Sequence, residues 1–126
     1  MKRIVVDLDG TITLADTSDY KNVLPNLDLI EQLRKYKRDG FEVVIATARN
    51  MRTYEGSVGK INLHTIPTIL EWLDRHDVPC DELLVGKPWC GYDGFYVDDK
   101  AVRPSEFISM TLEEITELIA KENVCS

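Results

Sequence analysis

The sequence has no long apolar run, no excess of positive charge and no paired cysteines, and each absence removes a class of protein. No segment is long and apolar enough to cross a bilayer as a helix, so no membrane partner is expected. Only Ile4, Val5 and Val6 separate Lys2 and Arg3 from Asp7; the apolar centre of a secretory signal is missing, and a cytoplasmic location is expected. A net charge of −7 argues against nucleic acid as a partner, because phosphate backbones are held by clustered Lys and Arg. Cys80, Cys90 and Cys125 are odd in number and contain no C-x-x-C pair, which fits reduced thiols rather than a disulfide framework or a zinc site. No repeat and no low-complexity linker interrupts the chain. Its 126 residues leave room for one domain, 1–126, large enough to bury a core without disulfides.

What the chain does have is alternation. Arg3 to Leu8 is short, β-branched and bounded by Gly10, which predicts a buried parallel strand rather than a half-exposed one. "PNLDLIEQLRKYKRDG" carries Leu27, Ile30, Leu33 and Tyr36 at helical spacing, with Asn26 as N-cap and Gly40 as stop. "FEVVIAT" repeats the strand pattern. "TIPTILEWLDRHD" predicts a second helix with Ile66, Ile69, Leu70 and Leu73 on one face and Pro67 in its first turn. "ELLVG" and "GFYVDD" read as two further strands. "TLEEITELIAK" opens with the capping-box pair Thr111 and Glu114 and presents Leu112, Ile115, Leu118 and Ile119 to a core. Strand and helix in alternation imply right-handed crossovers and an α/β, doubly wound, Rossmann-like three-layer sandwich around a parallel sheet. Ligands in such sheets gather beyond the carboxyl ends of the strands, where this chain places Asp7, Thr47, Gly86 and Asp98.

Asp7 and Asp9 are two residues apart, so in extended chain both carboxylates leave the same side. Two such acids repel each other unless a proton, a lysine or a divalent cation stands between them. Thr47 ends an apolar strand, where its hydroxyl and the backbone N–H groups around Ala48 suit a phosphoryl oxygen. Lys87 follows the next strand and offers charge to oxygens that become more negative in a transition state. Asp98 and Asp99 form a second acid pair after "GFYV". Taken singly, each has an ordinary explanation: a capping acid, a β-forming Thr, a surface Lys, a turn. Their order, each directly after a predicted strand, is what points to one mouth, and hard carboxylate oxygens there suit Mg²⁺ together with phosphate.

The sequence DLDGT, a strand-final Thr, a Lys and a late DD, in that order, resembles the haloacid dehalogenase (HAD) superfamily. The resemblance spans the whole chain, and "NVLPNLD", "ATARNMRTYEGSVGKIN" and "VGKPWCGYDGFYVDDKAVRPSEF" look like small capless members associated with bacterial capsule polysaccharide biosynthesis. It implies a Mg²⁺-dependent phosphatase of small phosphorylated metabolites, sugar or polyol phosphates. It makes Asp7 the nucleophile that forms an aspartyl-phosphate, and Asp9 the acid that protonates the leaving oxygen and then the base that activates water. Thr47 then holds the phosphoryl group, Lys87 offsets its charge, and Mg²⁺ sits among Asp7, the Asp9 backbone carbonyl and the late acids. Many relatives carry Gly before the late acid, whereas this chain has Val97-Asp98-Asp99; Asp98 is the favoured ligand of the two.

Neither inter-strand gap holds a cap domain, so specificity is expected from the loop Arg49 to His64, which supplies Arg49, Arg52, Tyr54, Lys60 and His64 to an anionic or sugar-like leaving group. His64 reads better as a helix-entry residue than as a base. Trp89 and Tyr92 read either as an aromatic wall beside Lys87 or as packing, and Trp72 as core or subunit contact. An open site in so small a chain leads to the expectation of a homo-oligomer, dimer or tetramer, with the loop near an interface. A phosphoprotein phosphatase and a phosphomutase of the same superfamily, and a silent binding module, are the alternatives. A receiver-like phospho-acceptor domain fits less well, because its acceptor Asp follows a middle strand, where this chain has Thr47, and it lacks a late DD. Dehalogenation is disfavoured, because Asp9 is an acid that an ester oxygen needs and a halide does not.

Overall fold

Three short β-branched segments form a parallel sheet in this computed structural model, which describes residues 2–123 apart from Asp16. They are β1 (Arg3–Val6), β2 (Glu42–Ala46) and β3 (Glu82–Leu84), in the order β1-β2-β3. Val5 pairs with Val44 and Val6 with Ile45, while Ile45 pairs with Leu83 on the other side. Flanked on both edges, β2 buries Val43, Val44 and Ile45. The first strand departs from expectation: it is parallel but alternates between exposed and covered residues, with Val5 63 % exposed. β1 pairs with β2 alone, so one of its edges has no strand partner among the described residues.

The chain divides into two compact units, Met1–Trp89 and Cys90–Ser126, across the span read from the sequence as one domain. In the first, α1 (Leu27–Arg38) starts where the Asn26 side chain accepts from the Leu29 N–H, and it ends before Gly40 at φ +95°, a left-handed value that favours glycine. Its buried face is Leu29, Ile30, Leu33 and Tyr36, with Leu27 outside. A helix not foreseen, α2 (Val58–His64), occupies the end of the expected loop; Ser57 caps it and Ile61 is buried. α3 (Ile66–Arg75) begins with Pro67 in its first turn and buries Ile69, Trp72 and Leu73. Leu70 faces out, and Trp72, whose Nε1 donates to the Val23 carbonyl at 3.0 Å, is core.

The second unit holds two helices and, among the described residues, no strand. The expected strand "GFYVDD" is not formed: Phe95 is 80 % and Val97 89 % exposed. An extended segment becomes a strand only by pairing its backbone, and the described residues of that unit hold no second strand for it to pair with. α4 (Pro104–Ser109) was not expected; Pro104 opens it and Glu106 reaches back to the Arg103 N–H. α5 (Leu112–Asn123) has the reciprocal Thr111–Glu114 bonds that its sequence predicts, and it buries Ile115, with Leu118 and Ile119 half-covered and Leu112 exposed. Cys80 and Cys90 are free thiols, and Cys125 lies outside the described residues. The architecture is α/β and Rossmann-like, with a parallel sheet and no inserted cap domain.

Candidate active site

The strand β1 stops at Val6, and the chain at once makes an irregular turn over Leu8–Ile12, turning on Gly10 at φ +77°. Leu8 and Ile12 drop into the core, which leaves Asp7, Asp9 and Thr11 at the sheet's carboxyl edge. The turn is pinned from both sides. The Gly10 N–H donates to Thr13 Oγ1 at 2.9 Å, and the Asn26 side chain, already the cap of α1, donates to the Thr11 carbonyl at 3.2 Å.

Thr47 and Lys87 reach the same edge by a backbone ladder that continues beyond the strands. The Thr47 N–H donates to the Leu84 carbonyl at 2.9 Å, and the Lys87 N–H donates to the Thr47 carbonyl at 3.2 Å. Gly86 makes the bend between them at φ +84°. The Lys87 ammonium then lies 3.6 Å from Asp7 Oδ1, while the Thr11 hydroxyl donates to Asp7 Oδ2 at 3.2 Å. Burial pushes the Asp7 carboxyl above its ordinary 3.8; the Lys87 ammonium, the Leu8 N–H and the Thr11 hydroxyl pull it part of the way back, and the neighbouring Asp9 pushes it up.

Asp9 has a different cation. Arg49 Nη2 donates to Asp9 Oδ1 at 2.6 Å and Arg49 Nε donates to Oδ2 at 3.1 Å. The two acids of "DLD" are thus held apart in role by charge, one facing a half-buried lysine and the other a buried arginine.

The sequence model of the haloacid dehalogenase-like hydrolases matches residues 4–74, more than half of the chain. The chain belongs to this family. No curated protein matches it. This hydrolase is also similar to the crystal structure of an MCSG target from Vibrio cholerae, at 73 % identity over 97 % of this chain and 99 % of the other, with a TM-score of 0.95.

The structure brings Asp7, Asp9, Thr47, Arg49 and Lys87 of the hydrolase together within its first unit, through these direct contacts. Thr47 is buried and its Oγ1 accepts from the Arg49 N–H at 3.1 Å; Ala48 lies half-covered in the same turn. The rest of the expected loop is ordered by turns, with Asn50 at φ +62° and its Oδ1 accepting from the Thr65 hydroxyl at 2.7 Å. Arg52 is exposed on this loop, and Tyr54 is half-buried with its ring 5.7 Å from that of His64. His64 closes α2 rather than opening a helix, and Lys60 is exposed on that helix. Asp98 and Asp99 belong to the second unit, where both are exposed and Asp98 Oδ1 accepts from the Lys100 N–H at 2.8 Å. Trp89 and Tyr92 are both exposed.

Two participants were missed from sequence. Thr11 had a local signal, since a hydroxyl four residues after Asp7 in a tight turn can reach back to it. Tyr20 had none; it comes from the loop between β1 and α1, whose base is closed by the Thr13–Pro25 pairing.

As a metal site, the donor set of the first unit is a partial one. Asp7 offers hard carboxylate oxygen, whereas the Asp9 side chain is engaged by Arg49, so that residue's contribution would come from its backbone carbonyl. Among the described residues of this unit, no third Asp, Glu, His or Cys side chain joins them in a metal-binding group. That set fits Mg²⁺, which takes few protein oxygens and keeps several waters.

Proposed function

We propose that this hydrolase is a Mg²⁺-dependent phosphatase of a small phosphorylated metabolite, a sugar or polyol phosphate, working through an aspartyl-phosphate on Asp7 in the context of capsule polysaccharide biosynthesis. The observation that carries the reading is the Lys87 ammonium 3.6 Å from a half-buried Asp7 carboxylate, at the mouth of a parallel sheet and beside a second acid with its own cation. A carboxylate partly stripped of water but charge-balanced is suited to nucleophilic attack on phosphorus.

An Asp7 oxygen attacks phosphorus, and the bond to the leaving oxygen breaks. Asp9, protonated, gives its proton to that oxygen, which departs as the alcohol. Asp9, now a carboxylate, takes a proton from water as the water oxygen attacks phosphorus; the bond to Asp7 breaks and inorganic phosphate leaves. Lys87 offsets negative charge gathered on the phosphoryl oxygens and on Asp7, and the Thr47 hydroxyl with the Ala48 N–H supplies hydrogen bonds at the strand end. Asp7 and the Asp9 backbone carbonyl would hold Mg²⁺, which when bound would supply further positive charge for the transferring group. Arg52 and Tyr54 are proposed to select the leaving group.

Homo-oligomerisation, as a dimer or tetramer, belongs to the same proposal. Its support is the exposure of Phe95, Val97 and Val5, large apolar side chains that association would cover. The test of the reading is a panel of phosphorylated sugars, polyols, nucleotides and phosphopeptides assayed with Mg²⁺ for phosphate release. Turnover concentrated on sugar or polyol phosphates is expected; a flat panel favours a silent module.

A further inference from the structure

Arg49 is 5 % exposed, the single buried charged residue among those described. Burying a guanidinium is unfavourable unless its charge and its N–H groups are met. Here they are met in one direction only. Nε and Nη2 take both oxygens of Asp9, and Nη1 is buried without a hydrogen-bond partner. The opposite requirement, something to fix the plane of the group, is met by Tyr20, whose ring centroid lies 4.1 Å from Arg49 Cζ. The backbone is tied as well, since the Arg49 N–H donates to Thr47 Oγ1. The guanidinium is therefore fixed by Tyr20, by the end of β2 and by burial, and its grip is given to Asp9 alone.

Asp9 sits in the turn beside Gly10 with extended backbone, φ −72° and ψ 124°, and the hydrogen bonds to its carboxylate come from Arg49. A two-point bond from a planar fork sets both the position and the rotation of a carboxylate, which a single-point lysine does not. We propose that Arg49, braced by Tyr20, is a positioning residue that sets the Asp9 carboxylate for both of its proton transfers. This assignment rests on the phosphatase reading. It moves Arg49 from contact with the leaving group to support of the acid that serves it.

The test compares wild type, Arg49→Lys, Arg49→Met and Tyr20→Leu on two esters with Mg²⁺: p-nitrophenyl phosphate, whose leaving group needs no proton, and glycerol phosphate, whose alkoxide does. If Arg49 positions Asp9, kcat/KM of Arg49→Met falls about 100-fold or more on glycerol phosphate and less than about 10-fold on p-nitrophenyl phosphate, the span that general acid catalysis supplies. On p-nitrophenyl phosphate the same variant shows a burst of product stoichiometric with enzyme, because breakdown of the aspartyl-phosphate also needs Asp9. Arg49→Lys, which keeps charge without the fork, is intermediate, and Tyr20→Leu shifts in the same direction by less. Should Arg49→Met fail to fold, the latter two carry the comparison. Equal losses on both esters, or no burst, overturn the positioning role while leaving the phosphatase intact. A wild-type protein that releases phosphate from neither ester overturns the phosphatase reading and the role with it.

Discussion

The Lys87 ammonium stands 3.6 Å from Asp7 Oδ1, brought there by a residue-to-residue ladder in which Thr47 bonds to Leu84 and Lys87 bonds back to Thr47. The carboxylate and its counter-charge are thus placed by the sheet itself. Lys87→Met is expected to lower kcat/KM by about 100-fold or more, the scale at which one preorganised electrostatic partner contributes. Its melting temperature should stay within a few degrees of wild type, since a half-exposed ion pair contributes little to stability. Steady-state kinetics beside a thermal melt check both halves; lost stability with unchanged kcat/KM contradicts the assignment.

Gly86 makes this placement possible. It lies at φ +84°, and an added Cβ would stand 3.1 Å from Val58 Cγ2 at the start of α2. Gly86→Ala combines a left-handed strain of about 1–2 kcal/mol with that tight contact, so a fall of several degrees in melting temperature is expected. Because Lys87 is the next residue, kcat should fall as well. A variant as stable and active as wild type would mean that the bend does not set Lys87.

Asp81 ties β2 to the segment that leads into β3. Its carboxylate accepts from the Lys37 ammonium and, at 2.8 Å, from the Val43 N–H, while its own N–H donates to the Val43 carbonyl. The Lys37 hydrogen bond, then the Val43 N–H, hold its carboxyl below the ordinary 3.8. A carboxyl lowered on folding contributes stability that is present above its unfolded value and is lost as pH falls through the folded one. Asp81→Asn should therefore melt below wild type near neutral pH, with the gap narrowing as pH drops below the ordinary carboxylate range. A gap independent of pH contradicts the ionic part of the tie.

Chelation should stop turnover, and Mg²⁺ should raise the melting temperature, because a cation that binds only the folded chain stabilises it. Asp7→Asn should blunt that rise. Full activity in excess chelator, or an equal rise in the variant, would remove Asp7 as a ligand.

Much of this was legible in local sequence, and the exceptions share a cause. Asn26, Gly40, Pro67 and the Thr111–Glu114 pair act on neighbours within a turn, so their effects can be read one residue at a time. Asp7, Thr47 and Lys87 were legible because the end of a strand is a place in the fold as well as in the sequence. Leu70 faces out because an apolar stripe does not say which neighbour the helix meets, whereas Trp72, read as core or subunit contact, is core and donates to the Val23 carbonyl. α2 was hidden by its polar composition, with Ile61 its single buried residue. "GFYV" has strand chemistry, but a strand depends on a partner that no local pattern contains. The Arg49–Asp9 pair joins residues far apart in sequence, so Arg49 could be recognised as an anion-binding residue but not as the partner of Asp9.

The central claim is that Asp7 becomes phosphorylated, and one measurement reaches it directly: intact-protein mass after rapid acid quench during turnover, compared between wild type and Asp7→Asn. Wild type should carry a phosphoryl adduct that maps to the peptide containing Asp7 and is lost at alkaline pH, as an acyl-phosphate is. Asp7→Asn, unable to form the bond, should show neither adduct nor steady-state phosphate release. Phosphate release by a clean Asp7→Asn preparation, or an adduct mapping to another residue, would contradict the account.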